Sequence, residues 1–208
     1  MERHRVDTVE FYFDCSSPWT YLGFETMQSV ISRHPGLAVE YKPILVGGIF
    51  NSVNPSVYEN RANPVPVKQK YYGKDLRDWA RFVGITIGSP PVFPVNSVKA
   101  MRGAFVALEQ DCLVPYARAV FRHYWTELED ISRDEILAGI VREVGLDEKA
   151  FFAAIASQPY KDRLRENTEE VIARGGFGSP TFFLNGDDMY FGNDRIVLLE
   201  SRLTGAGG

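Results

Sequence analysis

Apolar residues at every second position mark the first element: Val9, Phe11 and Phe13 alternate with Glu10 and Tyr12, a period of two that predicts a half-buried β-strand. The alternation stops at Asp14-Cys15-Ser16-Ser17-Pro18, after which Trp19, Leu22, Met27, Val30 and Ile31 recur at roughly helical spacing. Ser17 before Pro18 predicts the helix start, with serine as N-cap and proline at the first helical position, where its missing N–H costs nothing. His34-Pro35-Gly36 ends that helix, and Leu37, Val39 and Tyr41 then alternate with Ala38, Glu40 and Lys42 in a second strand reaching Pro43. A β-α-β unit results, its strands parallel because a helical crossover separates them.

The stretch from Gly47 to Pro66 is rich in Gly, Asn and Pro and predicts a long functional loop. From about Val67 to Arg174 the pattern is almost wholly helical, with segments at Lys68–Phe82, Ser97–Gln110, Pro115–Glu127, Arg133–Val144, Lys149–Ser157 and Asp162–Ala173. Strands return at Gly178–Leu184, followed by the turn Asn185-Gly186-Asp187-Asp188 and the strand Met189-Tyr190-Phe191, which together predict a hairpin. Asp194 to Leu203 reads as a closing helix capped by Asn193 or Asp194, and the final GAGG as a frayed tail. The order β-α-β, helical insertion, β-β-α divides the chain into one unit of residues 1–50 plus 175–208 and an inserted helical unit of residues 60–174.

Composition narrows the function. With 208 residues, 45% hydrophobic and 24% charged, the chain is an ordinary globular protein able to bury a core. Its 23 basic and 27 acidic residues give a net charge of −4 with no Lys/Arg-rich run, which disfavours nucleic acid as a partner. The opening MERHRVDTVEFYF passes from charge straight into the alternating strand, without the apolar run that a signal peptide or membrane span needs, so a cytoplasmic protein is expected. Cys15 and Cys112 stand far apart in no C-x-x-C spacing, and His4, His34 and His123 are scattered. Neither a disulfide framework nor a metal-ligand set is visible in the sequence.

The residues at the joints make a family resemblance specific. FYFDCSSPWTYLGFE, GGIFN, PVPVKQKYYGKDLRDWA, FPVNSVKAMRGAF, FGSPTFF and FGNDR follow one another along nearly the whole chain. Together they closely resemble the glutathione transferase kappa and 2-hydroxychromene-2-carboxylate isomerase family. The resemblance implies a thioredoxin-like α/β fold of the DsbA-like type, with a large all-helical insertion, and glutathione as cofactor. It implies a glutathione-dependent isomerase interconverting a chromene carboxylate and a hydroxybenzylidenepyruvate-type aromatic catabolite, through transient addition of the thiolate to a conjugated carbon. A kappa-class transferase, in which the same thiol attacks an electrophile and stays attached, is the alternative. A non-catalytic thiol-binding protein is a third reading. Dithiol exchange is disfavoured, because the four residues that correspond to Cys-x-x-Cys in related oxidoreductases are Ser17-Pro18-Trp19-Thr20, and exchange needs two thiols. The family also implies a small aromatic substrate and a homodimer.

Carried over residue by residue, the resemblance makes Ser17 the catalytic residue, its O–H donated to the sulfur of glutathione; on its own, a serine before proline is more simply an N-cap. Ser179-Pro180 becomes a cis peptide whose Ser179 backbone pairs with the cysteinyl part of the tripeptide, where an ordinary proline at a strand start is the plainer reading. Lys68 contacts the glycine end, though most lysines are solvated. Asn193 and Asp194 hold the γ-glutamyl end, with capping an equal alternative. Asn54 contacts glutathione, with Asn63, nearer to Lys68, competing for that role. Ser16 serves the loop backbone, and Cys15 is a buried, inert thiol.

Overall fold

A computed structural model describes residues 6–203; His4 and the GAGG end lie outside the described residues. Four strands, β1 (Thr8–Phe13), β2 (Ala38–Pro43), β3 (Thr181–Leu184) and β4 (Asp188–Phe191), form one mixed sheet in the order β2-β1-β3-β4. β1 runs parallel to β2 and antiparallel to β3, which pairs with β4 in the expected hairpin. The parallel pair is joined by α1 (Pro18–Arg33), as a crossover requires.

Alternation along β1 sets the two layers. Val9, Phe11 and Phe13 face α1, where Phe11 meets Phe182 of the neighbouring strand at a ring-centroid distance of 4.5 Å and Phe24 of α1 at 6.3 Å. Tyr12 points the other way into a smaller cluster with Ile44, Ile49, Val171 and Phe183. On that second face Arg174 chelates Glu10 and lies 3.7 Å over the Phe183 ring, while burial, with the Glu10 carboxylate nearby, pushes the pKa of the Tyr12 phenol up.

The stretch expected as one long loop instead contains two short helices, α2 (Val46–Val53) and α3 (Ser56–Ala62). Their Gly, Val and Asn content is a poor helix signal, and tertiary contacts override it. The Val46 N–H is fixed by the Asp14 carboxylate at 2.9 Å, and Ile49 is fully buried in the second cluster. α3 buries no residue and is tied instead by polar and ring contacts, Tyr58 Oη to Asn51 Oδ1 at 2.8 Å and the edge of Tyr58 to Phe50.

The helical region comprises α4 (Pro66–Val83), α5 (Val98–Glu109), α6 (Leu113–Phe121), α7 (Asp134–Glu143), α8 (Glu148–Ala156) and α9 (Gln158–Ala173). A five-residue π-helical turn, Arg122–Thr126, follows α6 where the sequence predicted one continuous helix. α9 ends against β2 and α2, with Thr168 and Val171 buried, so its C-terminal half covers the second face of the sheet. The chain closes with a 3₁₀ turn, Asn193–Arg195, and α10 (Ile196–Leu203). Among the described residues no helix is long and apolar enough to cross a membrane.

Candidate active site

Three segments meet at the end of β1: residues 14–20, the Ser179-Pro180 turn ahead of β3, and the start of α10. Ser17 is the N-cap of α1 in extended conformation, its Oγ accepting the N–H of Thr20 at 3.2 Å. The same hydroxyl donates its proton to the carbonyl of Ser179, also at 3.2 Å. Ser17 is therefore both the cap and a donor aimed across to the opposite segment. The Ser179-Pro180 peptide is cis. α1 approaches it so closely that a Cβ on Gly23 would lie 3.0 Å from Pro180 Cγ, so a glycine there permits the packing.

The side chain of Ser179 is buried and fixes the geometry from behind. Its Oγ accepts the Asp14 N–H at 3.0 Å and shares a proton with Thr20 Oγ1 at 2.7 Å. The Thr20 hydroxyl thus ties the two halves of the site together. Asp14 is fully buried, its two oxygens accepting the N–H groups of Ser16 and Val46 at 2.9 Å each. Burial nevertheless outweighs those bonds and raises its pKa, so the carboxyl resists ionisation behind the helix start.

Donors remain available at the surface of this cluster. Pro18 has no N–H, and the N–H groups of Thr20 and Tyr21 return to Ser17. Among the described residues the backbone N–H groups of Trp19 and Ser179 find no acceptor within the chain, and Asn193 buries an Nδ2 with no partner. Gly192 N–H bonds Pro180 O at 3.0 Å, which holds the Asn193–Arg195 turn against the cis peptide. With the positive end of the α1 dipole, this donor set suits a ligand that carries carbonyl, carboxylate and thiolate groups.

Neither cysteine is a candidate nucleophile. Cys15 is buried, its N–H on Met101 Sδ at 3.3 Å and its carbonyl receiving Trp125 Nε1 at 2.9 Å, and burial pushes its thiol pKa well up. Burial raises that of Cys112 as well. The Ser16 N–H bond to Asp14 gives that residue the loop-stabilising role its position suggested.

The remaining expected residues lie around this centre. Lys68 is exposed in the first turn of α4, one turn before Tyr72, whose hydroxyl accepts Trp19 Nε1 at 2.7 Å; the four-residue spacing puts Lys68 on the face that approaches α1. Asn193 is buried and Asp194 exposed, where it pairs with Arg195. Asn54 caps α2, and its amide donates to the carbonyl of Phe177 at 3.1 Å, two residues before Ser179. Asn63 is exposed at the end of α3. Thr20 and Asp14 were not singled out in the sequence as site residues. The hydroxyl three residues after Ser17 was the available signal for Thr20, whereas Asp14 depends on contacts with distant segments.

Two features stand apart from this centre. His123, Glu127 and Glu129 bring metal-ligating atoms within 4.8 Å of one another, but the imidazole is already bonded on both sides, Nδ1 to Glu129 at 2.5 Å and Nε2 to Glu143 at 3.1 Å. A cavity of about 530 Å³ lies between α2, α5 and α9, lined by residues such as Leu45, Val98, Arg102 and Leu164, and shares no residue with the Ser17 cluster.

A serine-capped helix facing a cis-proline turn, with a four-stranded mixed sheet behind it, defines a thioredoxin-class site without its redox cysteines. Residues 8–204 match the DSBA-like thioredoxin domain, and the chain belongs to that family. Within it, the chain is 34% identical to 2-hydroxychromene-2-carboxylate isomerase of Pseudomonas putida, over 94% of this chain and 93% of that one. It is 25% identical to glutathione S-transferase kappa 1 of Caenorhabditis elegans, over 96% and 92%. A solved structure of a 2-hydroxychromene-2-carboxylate isomerase superposes with a TM-score of 0.80 at 29% identity, covering 96% of this chain and 95% of that one.

Proposed function

We propose that the chain is a glutathione-dependent isomerase of the 2-hydroxychromene-2-carboxylate type, acting on a small aromatic carboxylate of a catabolic route. The observation that carries this reading is the hydroxyl of Ser17, held at the positive end of α1 and directed at the backbone of Ser179 beside the cis peptide. When bound there, glutathione supplies a thiolate nucleophile.

The chain's own residues supply the rest. Ser179 offers an unpaired N–H and a carbonyl now occupied only by Ser17, the two groups an extended peptide needs to pair as an added strand. Pairing at that carbonyl frees the Ser17 proton to turn toward a neighbouring sulfur, where the Trp19 N–H and the α1 dipole also favour negative charge. Lys68 would hold the glycine carboxylate. Asn193 and Asp194 would take the γ-glutamyl end, and Asn54 or Asn63 a further polar contact. Trp19, Tyr72 and Phe93 offer flat apolar walls to an aromatic substrate, with Trp125 packed behind Phe93.

A cytoplasmic setting fits two free cysteines. A homodimer belongs to the same reading; Val67, Tyr71 and Phe82 form an exposed stripe on α4 that a second copy would cover. The kappa-transferase alternative rests on the kappa relatives and on the same thiol site. Calorimetric titration of glutathione, followed by turnover of 2-hydroxychromene-2-carboxylate and of a chlorodinitrobenzene electrophile, tests the choice. Saturable binding with catalytic, non-consumed glutathione supports the isomerase; stoichiometric glutathione conjugation supports the transferase; binding without either reaction leaves the thiol-binding reading.

A further inference from the structure

Leu164, Thr168 and Ile172 follow one another at four-residue spacing on α9, and all three line the cavity of about 530 Å³ that opens between this helix, α2 and α5. Val98 and Arg102 come from α5 at the same spacing, and Gly48 from α2. The Thr168 hydroxyl is spent inside the wall, donating to Leu164 O at 2.7 Å and accepting the Leu45 N–H at 3.0 Å. Leu45, Val98, Leu164 and Ile172 make the walls largely aliphatic, and none of the lining residues carries an aromatic ring. The volume is that of a small-molecule site.

Arg102 breaks the aliphatic pattern. Its Nε is buried without a partner, and among the described residues its one hydrogen bond is a long one, from Nη1 to Ile155 O at 3.4 Å. No carboxylate among them forms an ion pair with it, because the two acids at the cavity, Asp162 and Glu169, both pair with Arg165, at 3.2 and 3.3 Å. A buried donor left without an acceptor is costly, and aliphatic neighbours do nothing to offset it. The guanidinium edge that carries Nε and Nη2 is the one a carboxylate can grip through two parallel bonds, and the nitrogen already used, Nη1, lies off that edge.

We propose that this cavity is a second ligand site, taking a medium-chain aliphatic carboxylate with its head on the Nε–Nη2 edge of Arg102 and its chain along Leu45, Val98, Leu164 and Ile172. The aliphatic walls select the body, since they hold no ring on which a flat ligand could stack, and the orphaned guanidinium selects the head. The cavity shares no residue with the Ser17 cluster, so the inference is independent of how that cluster is read.

The test is calorimetric titration of octanoate, and of 1-octanol as its uncharged counterpart, into the intact chain, Arg102→Met and Arg102→Lys. One octanoate should bind per chain, more tightly than octanol. Arg102→Met keeps a linear apolar stem and removes the charge; it should weaken octanoate roughly 10–100-fold while leaving octanol unchanged, and retained octanol binding shows that the variant has folded. Arg102→Lys, which keeps the charge without the two-bond edge, should recover part of the loss. Octanoate should also raise the melting temperature of the intact chain more than that of Arg102→Met, and saturating glutathione should not displace it. Equal affinity for octanoate and octanol, an octanoate affinity unmoved by Arg102→Met, displacement by glutathione, or no saturable binding of octanoate would each overturn the proposal. If glutathione itself does not bind, the thiol reading fails, and the octanoate titrations still decide this one.

Discussion

Removing the hydroxyl of Ser179 probes how the site is held. In Ser179→Ala the buried Asp14 N–H loses its acceptor at 3.0 Å and the buried Thr20 hydroxyl loses its partner at 2.7 Å. A buried polar group left without a partner costs about 1–3 kcal/mol. The two together should lower unfolding free energy by about 2–4 kcal/mol, since the Thr20 hydroxyl can rotate and recover part of its loss. An unfolding entropy of about 2.1 cal/mol/K per residue gives about 0.4 kcal/mol/K for a chain of this length, so the melting temperature should fall by roughly 5–9 °C. Scanning calorimetry of Ser179→Ala, Thr20→Ala and the double variant measures this directly. Because the two hydroxyls share one bond, the double variant should be about 1 kcal/mol less destabilised than the sum of the singles. A Ser179→Ala cost below about 0.5 kcal/mol, or strict additivity, would refute the argument that this bond closes the site.

Other predictions reach the core, the buried acid and the ligand ends. Gly103→Ala places a Cβ 2.3 Å from both Phe151 Cζ and Tyr116 Oη, and should cost about 1–3 kcal/mol or more in urea denaturation as the Tyr116 bond to Ala100 O is displaced. Asp14→Asn sets an amide N–H against the N–H of Ser16 or Val46, at a cost of about 1–3 kcal/mol. The raised pKa of Asp14 means that the native state holds its proton more tightly than the unfolded chain. Wild-type stability from this group is thus complete in acid and is lost as pH rises from the ordinary aspartate range, and the gap between wild type and Asp14→Asn should narrow along that pH series. Lys68→Ala and Asp194→Ala should each weaken glutathione about 2–5-fold by calorimetry, as exposed charges do; unchanged affinity in both would place the tripeptide elsewhere.

Local patterns made much of the fold legible. The alternation of Val9, Phe11 and Phe13 announced a strand with one face on a helix, and Ser17-Pro18 announced where that helix begins, because strand pleat and helix capping are properties of neighbouring residues. The hairpin after Pro180 was equally plain from its Asn-Gly turn. What stayed hidden depends on partners far along the chain. α2 forms because Asp14, more than thirty residues earlier, takes the Val46 N–H, and no local propensity signals that. The bonds from Trp125 to Cys15 and from Trp19 to Tyr72 likewise form only when α4 and the π-helical turn pack around α1. Asn54, a candidate ligand contact from its motif position, is tied by its amide to Phe177 O beside the cis-proline turn, a link no local pattern signals.

The central claim is that Ser17 stabilises a thiolate, and the most direct measurement is the pH titration of bound glutathione's ultraviolet thiolate absorbance in the intact chain and in Ser17→Ala. A hydrogen bond to a charged group contributes about 1.5–3 kcal/mol, so the thiol should ionise about 1–2 pH units lower in the intact chain than in Ser17→Ala. Identical titration midpoints in two proteins that bind glutathione equally well would contradict the claim and return Ser17 to the role of a helix cap.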